Sequence, residues 1–191
     1  DDGNTKVTTS ASRSFFSYST KYADGAGFEI GTKVSDNDND TRIKGSYHQE
    51  SGWFGVSQPL HSPTTRFVIS GSVYNRYYYN QPYISIDSNV SYYNTTRFLG
   101  SISISKNLYY NTNYILKFGQ IESFPYGFLY NLTMGPVITS FYTRFYVNLG
   151  LSRGEFIKKF GYLYGGVQLG GYLNRNIFED GLLKFDAYYM S

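Results

Sequence analysis

Phe141-Tyr142-Thr143-Arg144-Phe145-Tyr146-Val147-Asn148-Leu149-Gly150-Leu151-Ser152 sets Phe141, Thr143, Phe145, Val147, Leu149 and Leu151 against Tyr142, Arg144, Tyr146, Asn148, Gly150 and Ser152. Side chains alternate across a strand, whereas on a helix they advance about 100° per residue. Only as a β-strand does this stretch have one oily and one wet face. The pattern recurs outward in both directions, over 66–77, 84–92, 98–105, 128–135, 161–172 and 182–190. Weaker versions cover 14–22, 28–34, 42–49, 53–60 and 114–120. Turn-forming clusters separate them, among them Ala23-Asp24-Gly25, Asn80-Gln81-Pro82, Asn111-Thr112-Asn113 and residues 36–40, 123–126 and 174–180. The expectation is an all-β chain of about 12 antiparallel strands in up-and-down order, roughly 16 residues per strand with its connection.

Composition narrows the class. The 191 residues contain no Cys, which excludes a disulfide-stapled module and a Cys-ligated metal centre. Aromatics make up 20% and charged residues 16%, the opposite of a disordered chain. Seventeen Lys and Arg against fourteen Asp and Glu give a net charge of +3, without a block of like charge, so nucleic acid is not an expected partner. No apolar run approaches the ~18–20 residues of a membrane helix. A mean hydropathy of −0.38 suits a water-soluble domain, but equally a transmembrane barrel in which every second residue faces a polar interior.

Three features favour the barrel over a soluble sandwich. The periodic segments 66–79, 141–152 and 158–172 exceed the ~5–6 residues of an ordinary strand and are long enough to cross a bilayer at a tilt. Aromatics crowd segment ends, at Tyr77 to Tyr79, Tyr92 and Tyr93, Tyr109 and Tyr110, Phe141 and Tyr142, and Tyr188 and Tyr189. Such rings suit the headgroup level of a membrane. The wet faces also carry Arg at mid-strand, as at Arg144, opposite Phe and Leu that a sandwich would have to leave in water. The fold expected is therefore a single transmembrane antiparallel β-barrel domain over residues 1–191, either whole or the barrel part of a longer protein, with the lipid bilayer as its partner.

The polar faces collect Lys21, Lys33, Arg42, Lys44, Arg66, Arg76, Arg97, Lys117, Arg144 and Lys184 against Glu29, Asp87 and Asp186. In a water-filled lumen this cationic excess raises the local concentration of anions. The function expected is a pore or transport protein for small anionic solutes, lined by Arg66, Arg76, Arg97, Arg144, Lys117 and Asp87. Asp36, Asp38 and Asp40 alternate in an acidic turn and are a candidate calcium site, because hard cations take clustered oxygens. Thr41 and Tyr47 stand where a calcium loop of the helix-loop-helix kind has Gly and Glu. Only His48 and His61 are imidazoles, and no Gly-x-Ser-x-Gly elbow occurs, so no catalytic residue is expected.

Phe118-Gly119-Gln120-Ile121-Glu122-Ser123-Phe124-Pro125-Tyr126-Gly127, Thr143-Arg144-Phe145-Tyr146 and Gly161-Tyr162-Leu163-Tyr164-Gly165-Gly166 resemble the barrel of outer-membrane proteins of Bacteroidetes-type bacteria. Those are similar in turn to the surface-antigen barrels of the outer-membrane assembly-factor superfamily. The resemblance covers residues 53–190. It departs where Arg153-Gly154 is followed by Glu155-Phe156, and where Tyr189 is followed by Met190-Ser191. It implies a location in the outer membrane of a Gram-negative bacterium. It also brings a second functional expectation, a barrel that helps other outer-membrane or periplasmic proteins insert or be exported. A lipid-acting barrel enzyme and a soluble adhesin-like β-domain are the remaining alternatives.

Overall fold

The structure, a computed structural model, describes residues 4–15, 19–36, 42–113, 121–157, 160–175 and 177–190. These form one antiparallel meander of nine strands in chain order: β1 (Thr5–Arg13), β2 (Tyr22–Asp36), β3 (Arg42–Leu60), β4 (Ser62–Asn80), β5 (Thr95–Asn113), β6 (Ile121–Thr139), β7 (Thr143–Ile157), β8 (Gly161–Asn174) and β9 (Ile177–Met190). The sheet is open, with β1 and β9 at its edges. Each strand pairs with the next through a nearly unbroken register, which an up-and-down order with short connections permits.

The strand count differs from the dozen expected, for local reasons. Segments 42–49 and 53–60 are one continuous strand, β3, because Ser51 and Gly52 keep their pairing to Gly27 and Ala26 of β2. Segment 84–92 is not a strand. Asn89 takes a left-handed conformation (φ 55°), and a single 3-10 turn, Val90–Tyr92, follows it. Its alternating Ile and Ser imitate a strand without a neighbour to pair. Of segment 14–22, the residues described lie in the β1–β2 connection until Tyr22, and the first strand is instead the polar Thr5–Arg13. Segment 114–120 lies outside the described residues. The expected turns at 23–25, 111–113 and 123–126 lie inside β2, β5 and β6. Ladder pairing overrides turn-forming composition there.

The register carries the face assignment across the whole sheet. Tyr22, Val56, Ile69, Ile102, Leu132, Leu149, Leu169 and Leu183 are successive cross-strand partners from β2 to β9, and every one is apolar. One residue further along, on the other face, runs the row Ala23, Gly55, Ser70, Ser101, Thr133, Asn148 and Gly170. Thr133 donates to Ser101 Oγ at 3.1 Å within it.

The two faces differ in exposure. Residues of the apolar face are open: Leu149 is 40% exposed, Leu169 49%, Leu183 57% and Phe185 69%. The buried residues lie on the polar face or in the connections folded over it, with Tyr47, Ser57, Tyr78 and Tyr162 each below a tenth exposed. Gly135 shows how tightly two strands approach: its φ is +155°, and a Cβ there would stand 1.9 Å from the Phe98 carbonyl oxygen.

Candidate functional site

In an up-and-down meander the β2–β3, β4–β5, β6–β7 and β8–β9 connections share one end of the sheet. Lys33, near the end of β2, Arg76 in β4, Arg97 in β5 and Arg144 in β7 all lie on the polar face close to that end. They form a basic rim.

Arg76 and Arg97 hold its uncompensated charge. Arg76 donates from Nε and Nη2 to a single acceptor, Gln49 Oε1, at 3.1 and 2.6 Å, and Tyr74 Oη donates to the same oxygen at 2.9 Å. The guanidinium lies over the Tyr47 and Tyr74 rings at 5.2 and 5.7 Å, and Arg97 lies over Tyr74 at 5.0 Å. These contacts orient the two cations without cancelling them, since the acceptor is a neutral amide and the rings contribute only their quadrupoles. The nearby carboxylate, Glu29, is engaged elsewhere. It accepts from Tyr47 at 2.8 Å and Thr8 at 2.9 Å, and pairs with Lys6 at 3.6 Å. Among the described residues no carboxylate stands within ion-pair distance of Arg76 or Arg97.

Arg144 is different. It lies over the Tyr142 and Tyr172 rings at 4.6 and 4.2 Å and pairs with Asp180 at 2.6 Å and Glu179 at 3.4 Å. Two anions from the start of β9 thus neutralise it. Arg66 lies toward the opposite end of the sheet and is buried. Its Nε donates to Ser57 Oγ at 2.9 Å, and its Nη2 donates to the carbonyls of Thr20 and Ser57 at 3.0 and 3.1 Å. It ties the β1–β2 connection to the polar face, a structural task. Of the four arginines read as lumen-lining, one is a tether and one is neutralised.

The remaining sequence candidates are scattered. Asp87 is exposed in the β4–β5 connection and not on a strand face. Lys117, Asp38 and Asp40 lie outside the described residues. Asp36 ends β2, and among the described residues no cluster of three metal-binding side chains occurs. Lys44 and His48 fall on the apolar side of β3, opposite Val34 and Ile30, because the polar first half of this strand alternates in the other phase from the one its residues suggest. His48 packs at a tilt against Tyr77 and stacks on Tyr79. His61 sits in the β3–β4 turn, about 40 Å away along an extended strand, so the two imidazoles share no site.

Sequence reading missed Gln49 and the tyrosine at position 92. Gln49 was hidden by that phase error. Tyr92 is 1% exposed, packs edge-on against Tyr78 with ring centroids 5.5 Å apart, and donates to the Ile43 carbonyl at 3.0 Å. Burial pushes its hydroxyl pKa up. No signal short of the fold places it there, since it looks like a strand-end aromatic. No protein-family model, no curated protein and no solved structure matches the chain.

Proposed function

We propose that this chain is an integral β-barrel of the outer membrane of a Gram-negative bacterium that provides a path for small anionic solutes. The observation that carries the reading is an exposed apolar row that runs by cross-strand partners from Tyr22 in β2 to Leu183 in β9, beside a polar row that is less exposed from β2 to β8. In water that arrangement leaves the hydrocarbon face unpaired, whereas lipid covers it and the polar face becomes a lumen. A bilayer needs only about 9–11 residues per tilted strand, so strands of 19 residues project beyond it. The resemblance of residues 53–190 to Bacteroidetes-type outer-membrane barrels supports the same location.

Lipid offers no partner to the N–H and C=O groups of β1 and β9, so the sheet closes in the membrane. As the first and ninth strands of a meander, these two run in the same direction, and joining them makes one parallel pair. The anion preference rests on Arg76 and Arg97, neither of which forms an ion pair with a carboxylate among the described residues. Purified protein in planar bilayers under a KCl gradient is expected to conduct with a reversal potential on the chloride side. Silence in bilayers, or a cation-side reversal potential, contradicts this function.

A second reading, the assembly-factor-like barrel, draws on the two unpaired edges of β1 and β9, since a barrel that opens at its seam offers an edge to an incoming strand. Photo-crosslinkers on β1 that capture nascent outer-membrane chains, with no conductance, favour it over the pore.

A further inference from the structure

The 81–94 connection between β4 and β5 folds back over the polar face and is fastened there on both sides. Toward β2–β4, the Tyr92 ring sits above Gly45, where a Cβ would stand 2.6 Å from the ring. Lys33 Nζ lies 5.4 Å from its centroid, and its hydroxyl donates to Ile43. Tyr78, itself 2% exposed, donates from Oη to the Ser91 carbonyl at 3.1 Å, and its backbone N–H donates to Asn94 Oδ1 at 2.8 Å. Toward β6 and β7, the Tyr93 ring packs on Phe141 at 5.0 Å, and the Asn94 N–H donates to Ser140 Oγ at 3.0 Å. Within the connection, Tyr93 Oη donates to the carbonyls of Ser85 and Ile86, and Ser85 pairs with Ser88. A connection held at this many points is part of the wall, not a free loop.

It also crosses the same end as Arg76 and Arg97. We propose that the 81–94 connection is the size-limiting constriction of the solute path and that Tyr92 is its positioning residue, seated in the notch that Gly45 leaves. Tyr92 touches no solute. It fixes how far the connection reaches across the basic rim, so that an anion passing the two arginines does so in a narrowed mouth. Gly45 is explained by the same contact: only a residue without a side chain leaves room for the ring.

The inference rests on the pore reading, and one experiment separates their failures. Single-channel conductance and exclusion of neutral polyethylene glycols are measured for the natural chain, for Tyr92→Ala, for Tyr92→Phe and for a variant in which residues 82–91 are replaced by two glycines. Heat-modifiable gel mobility selects preparations that retain the fold. The expected result is about a doubling of conductance or more, and passage of larger polymers, in the replacement variant. Tyr92→Ala should fall between it and the natural chain, and Tyr92→Phe, which keeps the ring, close to the natural chain. Unchanged conductance and polymer cut-off in folded, conducting variants overturn the constriction while leaving the pore intact. Silence of every variant, the replacement included, overturns the pore and the constriction with it. A silent natural chain overturns the pore reading, and the constriction with it, even beside a conducting replacement.

Discussion

Arg76 and Gln49 face each other across the β3–β4 pair, and the guanidinium spends two of its donors on one neutral oxygen, at 3.1 and 2.6 Å. A carboxylate at position 49 would fix the guanidinium equally well and abolish its charge. The amide fixes it and leaves the charge standing. Replacing Gln49 by Glu is therefore expected to reduce anion preference as much as Arg76→Gln does, although Arg76 itself remains. Reversal potentials of the two variants under one salt gradient test this. An unchanged potential in Gln49→Glu counts against Arg76 as a selectivity residue.

Arg97 and Arg66 should separate in their effects. Arg97→Gln removes a cation that has no acidic partner among the described residues and should shift the reversal potential toward neutrality with little change in stability. Arg66→Gln should leave selectivity alone but lose charge-assisted bonds to Ser57 and Thr20 in a buried setting, a cost of about 2–4 kcal/mol. Urea unfolding in lipid vesicles measures the second effect, and bilayer recordings measure the first.

Face assignment makes a depth-dependent prediction. Leu149→Arg, at the centre of the apolar row, should cost about 2–4 kcal/mol in a bilayer, the amount a lipid-facing cation costs near the midplane. Ser101→Lys, on the polar face between Ser70 and Thr133, should be tolerated within about 1 kcal/mol, as substitutions facing a lumen are. Equal costs at the two positions would remove the distinction between lipid and lumen.

Two glycines of the sheet should respond differently to alanine. Gly135 has φ +155° and backbone 1.9 Å from the site of a Cβ, so Gly135→Ala should destabilise by at least about 1–3 kcal/mol through strain. Gly71 has no atom within 4 Å of its own Cβ site, and Gly71→Ala should be neutral or slightly stabilising. Unfolding midpoints of both variants, in one detergent or lipid, decide the matter.

What the sequence made legible follows from where period 2 is strong. In β4 to β9 the oily residues Phe67, Ile69, Ile102, Leu132, Leu149, Val167 and Phe185 all share the face their spacing implies. Arg76 and Arg97 likewise stand on the polar face that alternation assigns them. In β3 the outward residues Lys44, Ser46, His48 and Glu50 are polar before Phe54 and Val56, so the strand has no single oily face and its two halves read as separate strands. β1 carries a lone large apolar residue, Val7, and therefore gave no period at all. The roles of Arg66 and Tyr92 depend on contacts with Thr20 and Ile43, forty-six and forty-nine residues away in the chain, which spacing alone cannot reveal.

The central claim, that the open apolar face of this sheet meets lipid, is tested most directly by a cysteine scan of 144–151, since the natural chain has no cysteine to mask. Each position would carry a spin label in lipid vesicles, with collision rates measured against oxygen, which partitions into lipid, and against a water-soluble nickel chelate. The predicted result is strict alternation: oxygen contact at Phe145, Val147, Leu149 and Leu151, and chelate contact at Arg144, Tyr146, Asn148 and Gly150. Absence of alternation, or a protein that stays monomeric in buffer without detergent and shields the odd positions from both reagents, would contradict it.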